Sequence, residues 1–251
     1  MVRFPAGRPE NLLRGAFGAG LHGSQEYRRV FAPVGTGPSG LRNRPRPYVF
    51  RGAHLEGKSF SAGERFGFDM HWFAEEEPPL ESFELRGARL VSREVGRVSV
   101  PMEPPETPAR RLLVRFLTPT ELKGEGKDPE FRILFARARD RVSTLRALYG
   151  AGALEIDFRG MGERAARVRM TRCELRHQAG ERRSRRTGQT HPLQGFTGEA
   201  EYQGNLTEFV PCLEAAKWTG IGRQTTWGKG AIDVEFSATV PTACPDEPEL
   251  P

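Results

Sequence analysis

The chain holds only three cysteines in 251 residues. That scarcity excludes a disulfide-built scaffold, and the spacing of Cys173, Cys212 and Cys244 fits neither a zinc cluster nor a redox pair. Cys212 falls among apolar helix positions and reads as a buried structural thiol. Long apolar runs are also missing, so the sequence predicts no transmembrane helix, no signal peptide, no membrane partner and a reduced, cytoplasmic setting. No GxxxxGK[ST] spacing leads into a helix, which sets a nucleotide-binding P-loop aside. No grouping of His, Cys, Asp and Glu has metal spacing, no Ser–His–Asp arrangement can be inferred, and no cofactor is expected.

Glycine, proline and positive charge are plentiful. With 29 glycines and 20 prolines the chain is rich in turns, while 37% hydrophobic residues suffice for a core. The 38 Lys and Arg outweigh 32 Asp and Glu for a formal charge of +6. That balance attracts polyanions without proving that one is bound. Arginine greatly outnumbers lysine, and its planar fork suits phosphate and base edges, although a GC-rich genome would also enrich it.

The richest segment is GIGRQTTWGKG, Gly220 to Gly230. One helix stop would account for Gly220, but four glycines with Arg223 and Lys229 among them exceed what one turn needs. Glycine admits positive φ and close approach of another molecule, and backbone N–H groups beside cations seat phosphate well. Gly220, Gly222, Arg223, Thr225, Thr226, Gly228, Lys229 and Gly230 are therefore expected on a phosphate backbone. Trp227 reads equally as a base-stacking platform or as an anchor on the core.

Periodicity organises the second half. Arg110–Leu117 alternates as a strand, with Leu112, Val114 and Phe116 on one face. A helix follows, with Asp128 as N-cap, Pro129 in the first turn and Gly150 past its end. Ala166–Leu175 and Phe196–Gln203 read as strands. A second helix starts at Asn205, with Glu208 completing a capping box, and a last strand carries Ile232, Val234, Phe236, Ala238 and Val240. Strand, helix, strand, strand, helix, strand is the ferredoxin-like order, whose bare sheet face is a common RNA platform.

The first half is less regular. Asn11–Leu21 reads as a short helix, and Arg46–Arg51 and Glu64–Phe73 as strands, the latter with Phe66, Phe68, Met70 and Trp72 on one face. A repeat of the same plan would lack its first strand and second helix, as in a reduced domain or a chain that starts late. The expected fold class is α+β, with tandem ferredoxin-like (RRM-like) domains and antiparallel sheets. Their expected bounds are 1–105 and 106–241, with an acidic, proline-rich tail over 242–251.

Between two strands, Arg176 to His191 holds five Arg and two His against one Glu. Such a run is often a solvated loop. In a hairpin, however, Arg182, Arg183, Arg185 and Arg186 project together from the sheet end, and RNA binding is the better reading, with His191 beside them.

These residues resemble the CRISPR repeat-processing endoribonucleases of the RAMP superfamily. LLRGAFGAGL (Leu12–Leu21) and YRRVFAP (Tyr27–Pro33) are similar to that family's first helix and the segment after it. PYVFRG and GERFGFDMHWF are similar to its next two strands, and FLTPTELKGEGKDPEF to its strand, TP turn and helix start. RRSRRTGQTHPLQGFTGEAEYQG and WTGIGRQTTWGKGAIDV resemble its basic hairpin and glycine-rich loop. The resemblance implies CRISPR repeat RNA (pre-crRNA) as partner and metal-independent cleavage within the repeat. The alternative it leaves open is a non-catalytic RNA-binding subunit working with other CRISPR effector subunits.

Such cleavage needs an acid and a base, and histidine suits both roles. Of the five histidines, His22 lies where the family often places its acid or base, although a helix-end histidine also serves the dipole. Tyr27, Arg28 and Arg29 follow closely enough to orient substrate or neutralise phosphate. His191 is the second candidate.

Overall fold

The computed structural model describes residues 1–5, 7, 9–32, 44–122, 128–178, 181–183, 190–192 and 194–238, with only the backbone course for 181–183 and 190–192. Arg185, Arg186, Cys244 and the 242–251 tail lie outside the described residues. Among the described residues, no helix is long and apolar enough to cross a membrane.

The first half gathers short elements around an aromatic core. They are β1 (Val2–Arg3), α1 (Pro9–Gly20), α2 (Gln25–Phe31), β2 (Tyr48–Arg51), β3 (Ser59–Phe60), β4 (Asp69–Trp72), β5 (Glu84–Leu85) and β6 (Ala88–Arg89). Proline opens α1 where a missing N–H costs nothing, and Leu13, Ala16 and Phe17 bury its inner face. Ser24 caps α2 by accepting from the Tyr27 N–H at 3.1 Å. β2 pairs antiparallel with β4, setting Phe50 opposite Met70. Phe17 meets Tyr48 and Phe50 edge-on at 5.3 and 5.9 Å, an arrangement that adds to simple burial. Phe66, Phe68, Met70 and Trp72 do pack on this core, but only Asp69–Trp72 is strand. The missing first strand survives as β1, two residues paired with β3, and no helix occurs among the described residues between β4 and the main sheet.

The second half has its own core. It comprises β7 (Arg111–Thr120), α3 (Phe131–Tyr149), α4 (Phe158–Ala165), β8 (Arg169–Gln178), β9 (Glu181–Arg183), β10 (Thr190–Pro192), β11 (Gly195–Gln203), α5 (Val210–Thr219) and β12 (Ile232–Ser237). The antiparallel sheet runs β12-β7-β11-β8. Leu112, Val114, Phe116, Ala200 and Tyr202 point from it into the core that α3 and α5 cover. This is the expected ferredoxin-like plan.

Three local expectations change. α3 begins at Phe131, and Glu130 rather than Asp128 stands at its cap; the Pro129 carbonyl is taken by the Tyr202 hydroxyl at 2.6 Å. Asn205 caps nothing: a single 3-10 turn, Thr207–Phe209, leads into α5. Glu208 instead accepts a two-pronged bond from Arg164, with Nε and Nη2 each at 2.7 Å. α4 was not expected; Asp157 caps it at Gly160 N–H, and Met161 and Ala165 bury its inner face.

The open sheet face also differs from an RNA platform. Strand alternation turns Arg111, Arg115, Arg172, Glu199, Glu201, Asp233 and Glu235 outward. They interlock: Arg115 reaches Glu199 at 3.1 Å and Glu235 at 3.0 Å, Arg111 reaches Glu201 at 2.6 Å, and Arg172 reaches Glu199 at 3.1 Å. None of the outward residues described on this face is aromatic, so it offers no stacking surface.

Candidate nucleic-acid interface

The Gly220–Gly230 loop closes on itself between α5 and β12. Ile221 N–H donates to the Gly230 carbonyl at 2.8 Å, Arg223 N–H to Glu121 at 3.1 Å and Gly230 N–H to Pro119 at 3.2 Å. Gly220, Gly222, Gly228 and Gly230 all have φ between 70° and 87°, a region side chains rarely occupy. A Cβ on Gly230 would run into the Ile221 carbonyl, and one on Gly228 into the Glu10 carboxylate. The glycines thus serve the loop's own geometry and its seat against α1.

Lys229 corrects the expectation of a direct phosphate ligand. Its side chain is 0% exposed, and Nζ donates to Glu121 Oε2 and to the Gln194 carbonyl, both at 2.6 Å. Thr225 and Thr226 are buried as well. Arg223 is the loop's outward cation, exposed although paired with Glu121 at 2.7 Å. Burial alone would raise the Glu121 carboxyl, but the Lys229 ammonium and the Arg223 guanidinium outweigh it and hold the group below its ordinary value. Gln194 lies two residues past β10, so Lys229 also ties the loop to the base of the basic hairpin. There Arg182 stands opposite His191, and Arg183 opposite Thr190.

His22 and Tyr27 come together at the turn between α1 and α2. Their rings meet edge-on at 5.6 Å, and Tyr27 stacks on Phe31 at 5.1 Å. His22 is exposed, as a group that meets a substrate must be. Arg28 is exposed too. Arg29 is held by Glu26 at 2.8 Å and Glu76 at 2.9 Å, surface pairs that contribute little and leave it open to a competing phosphate.

Two contacts join this turn's helix to the loop. The Arg14 guanidinium lies 5.6 Å from the Trp227 ring centre and 5.8 Å from that of Phe31, a cation–π bridge that makes half-buried Trp227 an anchor. Buried Glu10 accepts from Gly52 N–H at 3.0 Å and abuts Gly228. Burial raises its carboxyl, against the bond from Gly52 and the charge of Arg51.

Residues 114–232, from β7 into β12 and including the whole loop, match the model of the family described as CRISPR-associated endoribonuclease Cas6. Over that span the chain is similar to this CRISPR repeat-processing endoribonuclease family. A Cas6 product complex from Thermus thermophilus is 17% identical over 94% of this chain and 100% of its own, with a TM-score of 0.61. Another Cas6 product complex is 19% identical over 93% of this chain and 94% of its own, with a TM-score of 0.53. At these identities the likeness is one of fold. No curated protein sequence matches the chain.

The matched segment begins only at residue 114, so His22 and Tyr27 lie outside it, and the joint between the two halves matters. Three residues converge on the last carbonyls of α5, groups that a helix cannot satisfy itself. Arg51 reaches Lys217 and Trp218 at 3.4 and 3.5 Å, His71 Nδ1 bonds the Trp218 carbonyl at 2.9 Å, and Arg141 reaches Thr219 at 2.9 Å. Burial lowers the His71 imidazole, more than the bond to Trp218 raises it. His71 is therefore a joint residue. His54 bonds the Gly67 carbonyl at 2.9 Å and His177 faces Phe196. Glu10 and Arg14 carry no mark of this role in the sequence, since the loop residues they meet, Gly228 and Trp227, lie in the other half of the chain.

Proposed function

We propose that the protein is a Cas6-type endoribonuclease that binds CRISPR repeat RNA in the cytoplasm and cleaves it within the repeat, without a metal ion, by attack of a 2′-hydroxyl on the adjacent phosphate. The observation that carries the reading is the meeting of His22 with Tyr27 at the end of the helix whose flank seats the glycine-rich loop. In the reaction a base removes the 2′-oxygen's proton and the new O2′–P bond forms as the P–O5′ bond breaks. An acid gives a proton to the departing 5′-oxygen, leaving a 2′,3′-cyclic phosphate. His22 is the general acid or base, and Tyr27 holds its ring and orients substrate. Exposed Arg28 and half-buried Arg29 steady the charge that builds on phosphate.

The remaining contacts are electrostatic. Arg223 and the hairpin residues Arg182, Arg183, Arg185, Arg186 and His191 hold the phosphate backbone. Gly220, Gly222, Gly228 and Gly230, with Thr225, Thr226 and Lys229, give the loop the shape that presents it. Residues 1–105 form the domain that brings the acid–base group, 106–241 the one that grips RNA, and 242–251 a tail.

End-labelled repeat RNA incubated with the protein in EDTA tests this directly. One discrete cut with a cyclic-phosphate end is expected. A gel shift with no cut would replace this reading by that of a non-catalytic RNA-binding subunit.

A further inference from the structure

Several arginines around the C-terminal sheet are matched by carboxylates: Arg111, Arg115, Arg164 and Arg172 each have one within 3.1 Å. Arg110, Arg167 and Arg169 have none among the described residues, yet all three line one pocket of about 330 Å³. Gln203, Gly204 and Asn205 complete its wall, and no acidic side chain does. The fold builds this convergence. Gly204 N–H donates to the Arg110 carbonyl at 3.1 Å, Arg167 lies in the turn that closes α4 (Arg167 N–H to the Arg164 carbonyl at 3.0 Å), and Arg169 opens β8 opposite Gln203.

Three arginines without a carboxylate partner around one hollow give it a positive potential, which an anion seated among them lowers. Guanidinium forks fit the oxygens of phosphate in particular. The pocket sits at the start of β7, whereas the glycine-rich loop packs against its end. Ten strand residues separate the two by about 30 Å, well beyond a Debye length of about 8 Å. The pocket is thus a separate electrostatic site, not a fringe of the loop's own field.

We propose that the Arg110–Arg167–Arg169 pocket binds a backbone phosphate of the same RNA, in a stretch distant from the one held by the loop and hairpin. This inference rests on the proposed RNA-binding function. The test compares wild type with the Arg110→Gln/Arg167→Gln/Arg169→Gln variant on two repeat RNAs, one with long single-stranded flanks and one too short to span the sheet. On the long RNA the variant should bind about tenfold more weakly at 0.1 M salt. The slope of log affinity against log salt should shrink by about 2, from three contacts at roughly 0.7 each. The short RNA should be bound and cut as by wild type, and the triple Arg→Lys variant should keep the wild-type slope. Each single Arg→Gln variant should remove about one third of the slope change, so the reading stays testable if the triple variant does not fold. Equal slope and affinity for wild type and the glutamine variants on the long RNA would overturn this inference alone. Failure of wild type to bind either RNA would overturn the proposed function, and this inference with it.

Discussion

Lys229 and Glu121 meet at 2.6 Å with the lysine wholly enclosed, so deleting the ammonium strands the Gln194 carbonyl and leaves the Glu121 carboxylate with Arg223 alone. Lys229→Met should lower unfolding free energy by about 3 kcal/mol in urea titrations. Arg223→Gln, which removes a solvent-facing partner of the same carboxylate, should cost less than about 1 kcal/mol. Equal effects would show that the pair is not the strut described. Gly230→Ala forces a side chain to φ 70° and against the Ile221 carbonyl, and should cost about 1–3 kcal/mol on the same titration. The loop's special backbone was legible from its glycines. The burial of Lys229 was not, because its partner lies 108 residues earlier, and a lysine among glycines otherwise reads as a cation offered to solvent.

Among elements, those with strong periodicity were legible. β7 buries Leu112, Val114 and Phe116 because one face of it meets a core; β12 likewise buries Ile232 and Val234 but half-buries Phe236 and ends at Ser237, so the expected Ala238 is exposed beyond it and Val240 lies outside the described residues. α4 escaped notice because Gly160 and Gly162 break its pattern, and β1 because two residues carry no period. The open face of the sheet was misread for another reason. Strand order predicts a bare face but not its chemistry, which depends on cross-strand register. There the Arg111 hydrogen bond pulls the Glu201 carboxyl down to about 2. A folded value below the ordinary one means the gain in stability is complete above about pH 4.5 and is lost as pH falls towards 2. Thermal midpoints should therefore fall across that window, and Glu201→Gln should flatten the fall. An unchanged acid limb in the variant would place the loss elsewhere.

At the scale of the whole molecule, the acid–base candidate belongs to one core and the glycine-rich loop to the other. Catalytic geometry then depends on the joints between them, Arg14 on Trp227, Glu10 on Gly228, and the cluster on the last turn of α5. His71 makes the last of these pH-dependent. Its folded value is depressed by burial, so the unfolded chain takes up the proton first, and stability should decline as pH falls below about 6.5. His71→Asn should remove the slope between pH 5 and 7 in thermal melts; a slope that persists would show that the joint does not set it.

The central claim is that His22 acts on the RNA that the rest of the protein holds. Single-turnover cleavage and equilibrium binding of repeat RNA by His22→Ala, in EDTA, test it most directly. The account predicts affinity within about twofold of wild type and a cleavage rate lower by roughly 10²–10⁴, the range for a lost general acid or base. Cleavage by His22→Ala at the wild-type rate would contradict it.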